Sequence, residues 1–88
     1  MRIYIARHTL ERAEERGTTQ AEIEEVIENG TVYPARNNRQ AKEKTFPFST
    51  QWNGTWYAEK RVRVVYVEEN DTIFTITVYV FYGQFTPS

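Results

Sequence analysis

Hydrophobic and polar positions change period along this chain, and each change marks an element. Arg2 to Ala6 alternates with a period of two, which predicts a short strand. A helical pattern starts near His8 or Thr9 and stops at Gly17, a residue suited to a left-handed C-cap. That length gives a helix of about two turns, with Leu10 and Ala13 on its buried side. Thr19-Gln-Ala-Glu22 has the form of a capping box, in which the Thr19 hydroxyl accepts from the N3 amide while Glu22 reaches back. It opens a second helix with the core stripe Ile23, Val26 and Ile27, closed by Asn29-Gly30.

From Thr31 onward the period returns to two. Thr31 to Tyr33 starts a strand, whereas Pro34 to Lys44 is polar, basic and aperiodic and reads as an exposed loop. Asn53-Gly54, between Thr45–Trp52 and Thr55–Lys60, signals a hairpin whose type I′ turn needs two left-handed residues. A two-residue loop sets Trp52 against Thr55 and puts Phe46, Phe48, Thr50 and Trp52 on one face with Tyr57. A second hairpin joins Val62–Val67 to Thr72–Tyr82. A three-residue loop, Glu69-Asn70-Asp71, gathers Val62, Val64, Tyr66, Phe74, Ile76, Val78 and Val80 on one face. In that register Arg61 lies opposite Tyr79 and Arg63 opposite Thr77, and the second face carries Arg61, Arg63, Thr75, Thr77 and Tyr79. The expected class is therefore α+β: a short N-terminal strand, two short helices, then an antiparallel sheet of about four strands in a single domain, residues 1–88.

Composition narrows the chemistry. The chain has no cysteine and one histidine, which excludes disulfides, a thiolate nucleophile and a Cys- or His-cluster metal site, so no metal and no cofactor are expected. Aromatic residues make up 15% of the chain and supply much of what an 88-residue core needs. No apolar run approaches a bilayer span and Met1–His8 lacks the apolar stretch of a signal peptide; the expectation is a cytoplasmic protein with no membrane partner. The formal charge of −1 hides an asymmetry: seven carboxylates and two arginines lie between Glu11 and Glu28, but seven cations and two carboxylates between Arg36 and Arg63. Such a split steers a polyanion to one side of the molecule.

Three groups of residues are candidates for function. His8, Arg12 and Arg16 recur every four residues and form one stripe on the first helix, where their mutual repulsion calls for acidic partners or an anionic ligand. Arg12 can equally pair with Glu15, and Arg16 suits a helix C-terminus. Arg61, Arg63 and Tyr79 make a polar, cationic sheet face able to meet phosphate. Arg36, Arg39, Lys42 and Lys44 lie in a basic stretch beside Phe46 and Phe48, a combination that suits single-stranded RNA and equally suits a solvated loop. His8 is the one side chain whose ordinary pKa is near neutrality. In metal-free RNA cleavage it can carry one proton, Arg12 or Arg61 can hold the phosphate charge, and Tyr79 or a lysine can carry the other proton. A helix cap or a hydrogen-bonded structural role is the competing reading of His8.

His8-x3-Arg12-x3-Arg16-Gly17, Thr18-Thr19-x-x-Glu22 with Val26-Ile27 and Gly30, Arg61-Val-Arg-Val-Val65 and Thr75-Ile-Thr-Val-Tyr79 together resemble a widespread prokaryotic family catalogued as a domain of unknown function. Through it the chain is similar to RelE/ParE-type toxins and, more broadly, to the barnase, EndoU and colicin type of ribonuclease fold. That resemblance implies a curved antiparallel sheet under N-terminal helices. It also implies a metal-independent endoribonuclease of toxin-antitoxin type, or a related RNA-binding protein. His8, Arg12 and Tyr79 would then be catalytic, with Arg16, Arg36, Arg39, Lys42, Lys44, Arg61 and Arg63 on RNA phosphate. The expected partners are RNA and a cognate antitoxin. The alternative is a non-catalytic interaction module or homodimer that docks through the sheet edge or the Trp52 and Trp56 surface.

Overall fold

Local signals fix the two helices, and the sheet is built against them. The computed structural model describes residues 1–87. Its elements are β1 (Arg2–Tyr4), α1 (Arg7–Arg16), α2 (Gln20–Asn29), β2 (Thr31–Tyr33), β3 (Gln40–Trp52), β4 (Thr55–Glu69) and β5 (Thr72–Gly83). α1 ends at Gly17, whose φ of 90° is the left-handed conformation that a residue without Cβ adopts freely. α2 starts at Thr19, whose hydroxyl accepts from the Glu22 amide at 3.2 Å. The Glu22 side chain does not close the capping box; it is drawn instead to Thr18 and Lys60. Gly30 closes α2 with extended backbone. A Cβ there would collide first with the Val26 carbonyl oxygen and then with that of Glu43 at 2.9 Å, so the tight passage between the end of α2 and β3 is what requires glycine.

The chain is α+β, an N-terminal strand and two helices followed by a sheet of five strands in the order β1-β5-β4-β3-β2. The sheet is antiparallel except for β1, which runs parallel to β5. Both helices lie on one face, α1 on β5 and α2 on β3 and β4. Ile23, Val26 and Ile27 meet Val62, Val64, Tyr66, Ile73 and Val78 there, and Ala13 completes the cluster. At about 25 cal/mol per Å² of apolar surface removed from water, this layer is the main stabilising term. Thr9, not Leu10, is the second buried residue of α1; Leu10 stays exposed.

Two stretches depart from the sequence expectation. Gln40–Lys44 is strand rather than loop, and the separate strands expected over Thr55–Lys60 and Val62–Val67 are one continuous central strand, β4. Lys42 and Lys44 are polar because they face α2. The Lys42 ammonium donates to the Ile27 carbonyl at 2.8 Å, a cation at the negative end of the helix, and Lys44 pairs with Glu25. Hydrogen bonds from Lys44 and then Asn29 hold the Glu25 carboxyl below its usual range.

The β4–β5 register also differs. The hairpin loop has two residues, Asn70 and Asp71, both left-handed, and a bulge between Val65 and Tyr66 then moves the pairing by one. Arg63 therefore lies opposite Tyr79, Arg61 opposite Phe81, Val62 opposite Val80 and Val64 opposite Val78. On the hairpin side of the bulge the buried positions of β5 are Ile73 and Thr75, and Phe74 is 37% exposed. Thr75 thus leaves the open face. Its hydroxyl donates to Thr9 and accepts from the Ala6 amide, both at 3.0 Å.

The first hairpin follows expectation at its turn. Asn53 and Gly54 are both left-handed, and Trp52 pairs with Thr55. Phe48, Trp52 and Tyr57 surround the Tyr82 ring, with Trp52 stacked on it at 5.2 Å. No helix is long and apolar enough to cross a membrane, and among the described residues no group of three or more His, Asp or Glu is arranged to hold a metal.

Candidate nucleic-acid interface

Because both helices cover one face, the odd-numbered residues of β4 point to the other, which no helix covers. Along β4 these are Arg61, Arg63 and Val65, and their neighbours are Thr45, Glu43 and Ala41 on β3 and Phe81, Tyr79 and Thr77 on β5. Tyr79 is 43% and Phe81 39% exposed, large values for aromatic rings on a sheet. β2 and the 34–39 loop fold beside this face and enclose a cleft of about 290 Å³ whose lining includes Tyr33, Arg36, Arg39, Arg63, Thr77 and Tyr79. Asn37 and Asn38, both left-handed, turn the loop over the cleft.

Arg63 is the fixed point of the site. Its guanidinium carbon lies 3.6 Å from the Tyr33 ring centre and 4.7 Å from that of Phe81, so the cation is held between two aromatic faces. Glu43 accepts from it at 3.0 Å and also approaches Arg61 at 3.7 Å. One carboxylate between two guanidiniums leaves this part of the face positive. Arg36 and Arg39 form no ion pair among the described residues and add to that charge.

The basic stripe of α1 runs along the β5 edge. β1 pairs only with Thr72–Phe74, so beyond the bulge the outer carbonyls of β5 have no strand partner. The His8 Nε2 bonds the Ile76 carbonyl at 2.8 Å, and Arg16 Nη1 donates to the Val78 carbonyl at 2.6 Å. A carbonyl only accepts, so His8 Nε2 carries a proton and a neutral ring leaves Nδ1 as its basic atom. The Arg16 guanidinium also sits 5.4 Å from the centre of the Tyr79 ring. It reaches round the edge and joins the helix stripe to the open face. Arg12, between them in sequence, pairs with Glu15 at 3.3 Å and stays exposed.

Of the residues singled out from sequence, Arg36, Arg39, Arg63 and Tyr79 come together at the cleft, Arg16 reaches the Tyr79 ring from the β5 edge, and Arg61 lies one pleat along the same face. His8 is farther along the edge: its contact at Ile76 is three residues from Tyr79, roughly 10 Å of extended strand. Lys42 and Lys44 are on the helix-covered side and meet α2. Sequence reasoning missed Tyr33, Glu43 and Phe81. The odd-number alternation of Thr31, Tyr33, Ala41, Glu43 and Thr45 carried the signal for the first two, but only with Gln40–Lys44 read as strand.

A second polar group lies under the α1–α2 turn. Lys60, 7% exposed, donates to the Gly17 carbonyl and to Glu22, each at 2.8 Å, and Glu22 also accepts from Thr18. Tyr82 donates to the Arg16 carbonyl at 2.6 Å, and burial, followed by the nearby Glu22 charge, pushes its phenol up to about 12. All these groups are satisfied, which marks them as a structural tie between the turn and the sheet.

The model of DUF4258, a domain of unknown function, covers residues 5–80. No curated protein and no solved structure matches the chain.

Proposed function

We propose that this chain, which belongs to the DUF4258 family, binds single-stranded RNA across the open face of its sheet. The observation that carries the reading is that Arg36, Arg39 and Arg63 line one cleft with the exposed Tyr79, while Arg16 reaches the same Tyr79 ring from α1. Arginines interleaved with exposed aromatic rings answer the two chemistries of a single strand, phosphate and the π-face of a base. Arg36 and Arg39 take phosphate oxygens, Tyr79 and Phe81 offer stacking surfaces two residues apart on one strand, and Arg63 supplies a guanidinium packed against Phe81. Such a role suits the cytoplasm.

Cleavage is the second reading, and His8 favours it. With Nε2–H given to the Ile76 carbonyl, Nδ1 can take the 2′-hydroxyl proton as the 2′-oxygen bonds to phosphorus and the 5′-oxygen leaves. Tyr79 would give its own phenol proton to that oxygen, with Arg16 holding the phosphate charge. The spacing along β5 suits binding better than this transfer, because acid and base must flank one phosphate. A protein partner, either an antitoxin or a second copy, is the competing occupant. Strand addition at the outer edge of β3 beyond Glu43 is opposed by Pro47 and by the left-handed Ser49 at its bulge.

The test is RNA affinity measured against salt. Wild type should bind a single-stranded oligonucleotide with affinity that falls as salt rises, and Arg36→Ala with Arg39→Ala should flatten that slope by about two. Incubation in EDTA with and without His8→Ala addresses cleavage. Salt-independent self-association with no RNA affinity would replace this reading with the interaction module.

A further inference from the structure

The open face does not end at Arg63. One pleat along β4, about 7 Å away, Arg61 presents a second guanidinium whose orientation is fixed on two sides. Its Nε donates to the Thr45 hydroxyl at 3.1 Å and its Nη1 faces Glu43 at 3.7 Å. A ring already lies on it. Phe85, beyond the end of β5, has its ring centre 4.4 Å from the Arg61 guanidinium carbon. This is the geometry of a planar group on an arginine face, the same contact a nucleobase makes.

What holds Phe85 there is a single carboxylate. Glu59 accepts from the Phe85 amide at 2.6 Å, from the Thr86 amide at 2.9 Å and from the Thr86 hydroxyl at 2.7 Å. Those bonds, first from the Thr86 side chain and then from the two amides, keep the Glu59 carboxyl below its usual range. No strand pairing continues past Gly83, so residues 84–87 depend on this anchor and the Arg61 stack. A segment held by one side chain can be lifted without disturbing the sheet beneath it.

We propose that Arg61 is a further base-stacking subsite of the open face and that Phe85 is its built-in occupant, displaced when single-stranded RNA extends past Phe81. This rests on the RNA-binding reading above. Arg61 then discriminates by length: a short strand fills the Tyr79 and Phe81 positions and leaves Phe85 in place, whereas a longer one competes with it.

The experiment compares wild type with Phe85→Ala against a dinucleotide and an oligonucleotide of about eight residues, with hydrogen exchange followed at the Phe85 and Thr86 amides. Phe85→Ala leaves Glu59 and the sheet intact, and its melting temperature checks that. The proposal expects the variant to bind the longer strand about fivefold more tightly, the scale of one lost cation–π competitor, with the dinucleotide unaffected. It expects the longer strand to speed exchange at both amides in wild type. Binding of the longer strand with unchanged affinity in the variant and undisturbed amides would overturn the plug and leave the RNA reading standing. Weaker binding by the variant would also overturn it, because Phe85 would then be a platform for RNA and not its rival. Binding of RNA by neither protein would overturn the reading on which the plug rests, and the plug with it.

Discussion

At the scale of single residues, the junction after α1 gathers several structural contacts on one glycine. Gly17 caps the helix, offers its carbonyl to Lys60, and leaves room for the Tyr82 hydroxyl and the Trp52 ring. A Cβ at this position would collide with both aromatics on a backbone that already disfavours side chains. Gly17→Ala should therefore lower stability by about 2 kcal/mol or more in urea unfolding, since strain and overpacking add. Tyr82, packed beside it, makes a prediction about pH. Its folded phenol is raised to about 12 from the ordinary 10.0, so its contribution is complete below pH 10 and is lost as the pH rises toward 12. Melting temperature between pH 9 and 12 should fall more steeply for wild type than for Tyr82→Phe, and parallel curves would contradict the assignment.

Among the elements, β5 shows why some of this fold was readable in the sequence and some was not. The helices were legible because Thr19 and Gly17 are local signals, and the inner stripe Ile23, Val26, Ile27 repeats on one side only. The bulge in β5 was not, because Ile73, Phe74, Thr75, Ile76 and Thr77 place apolar or β-branched residues at both parities, and alternation then says nothing about which face each takes. The parity of Val62, Val64, Val78 and Val80 survived because the bulge restores it, though their partners moved along by two. Gln40–Lys44 was hidden by its lysines, whose ammonium groups are satisfied by α2 and so resemble a solvated loop. Lys60 was invisible for the same reason. A buried cation in the central strand is tolerated only through Glu22 and the Gly17 carbonyl. Glu22→Ala should cost about 3–5 kcal/mol, because it leaves that ammonium without its counter-charge; a cost under about 1 kcal/mol in urea unfolding would show that the pair contributes little.

For the whole molecule, the sheet divides two kinds of surface. One face is sealed by two helices and dry; the other carries Tyr79, Phe81 and the arginines, with Phe85 over one end. The acidic stretch of the chain lies in α1 and α2 and the basic stretch runs from the 34–39 loop into β4, so the charge asymmetry seen in sequence becomes an asymmetry of elements in space. Lys42, Lys44 and Lys60 are taken up by α2 and the α1–α2 turn, so the charge left on the open face is that of Arg36, Arg39, Arg61 and Arg63 against Glu43. The candidate residues were legible as types, but their convergence depended on the bulge that sets Tyr79 opposite Arg63 and on Arg16 reaching round the β5 edge. The most direct test of the account is a backbone amide shift map recorded while single-stranded RNA is added. It predicts shifts confined to the 34–39 loop, to Arg61, Arg63, Thr77, Tyr79 and Phe81, and, with a strand long enough to pass Phe81, to Phe85 and Thr86. Shifts centred on the outer surfaces of α1 and α2 or on the hairpin tip at Trp56, or no shifts at all, would contradict it.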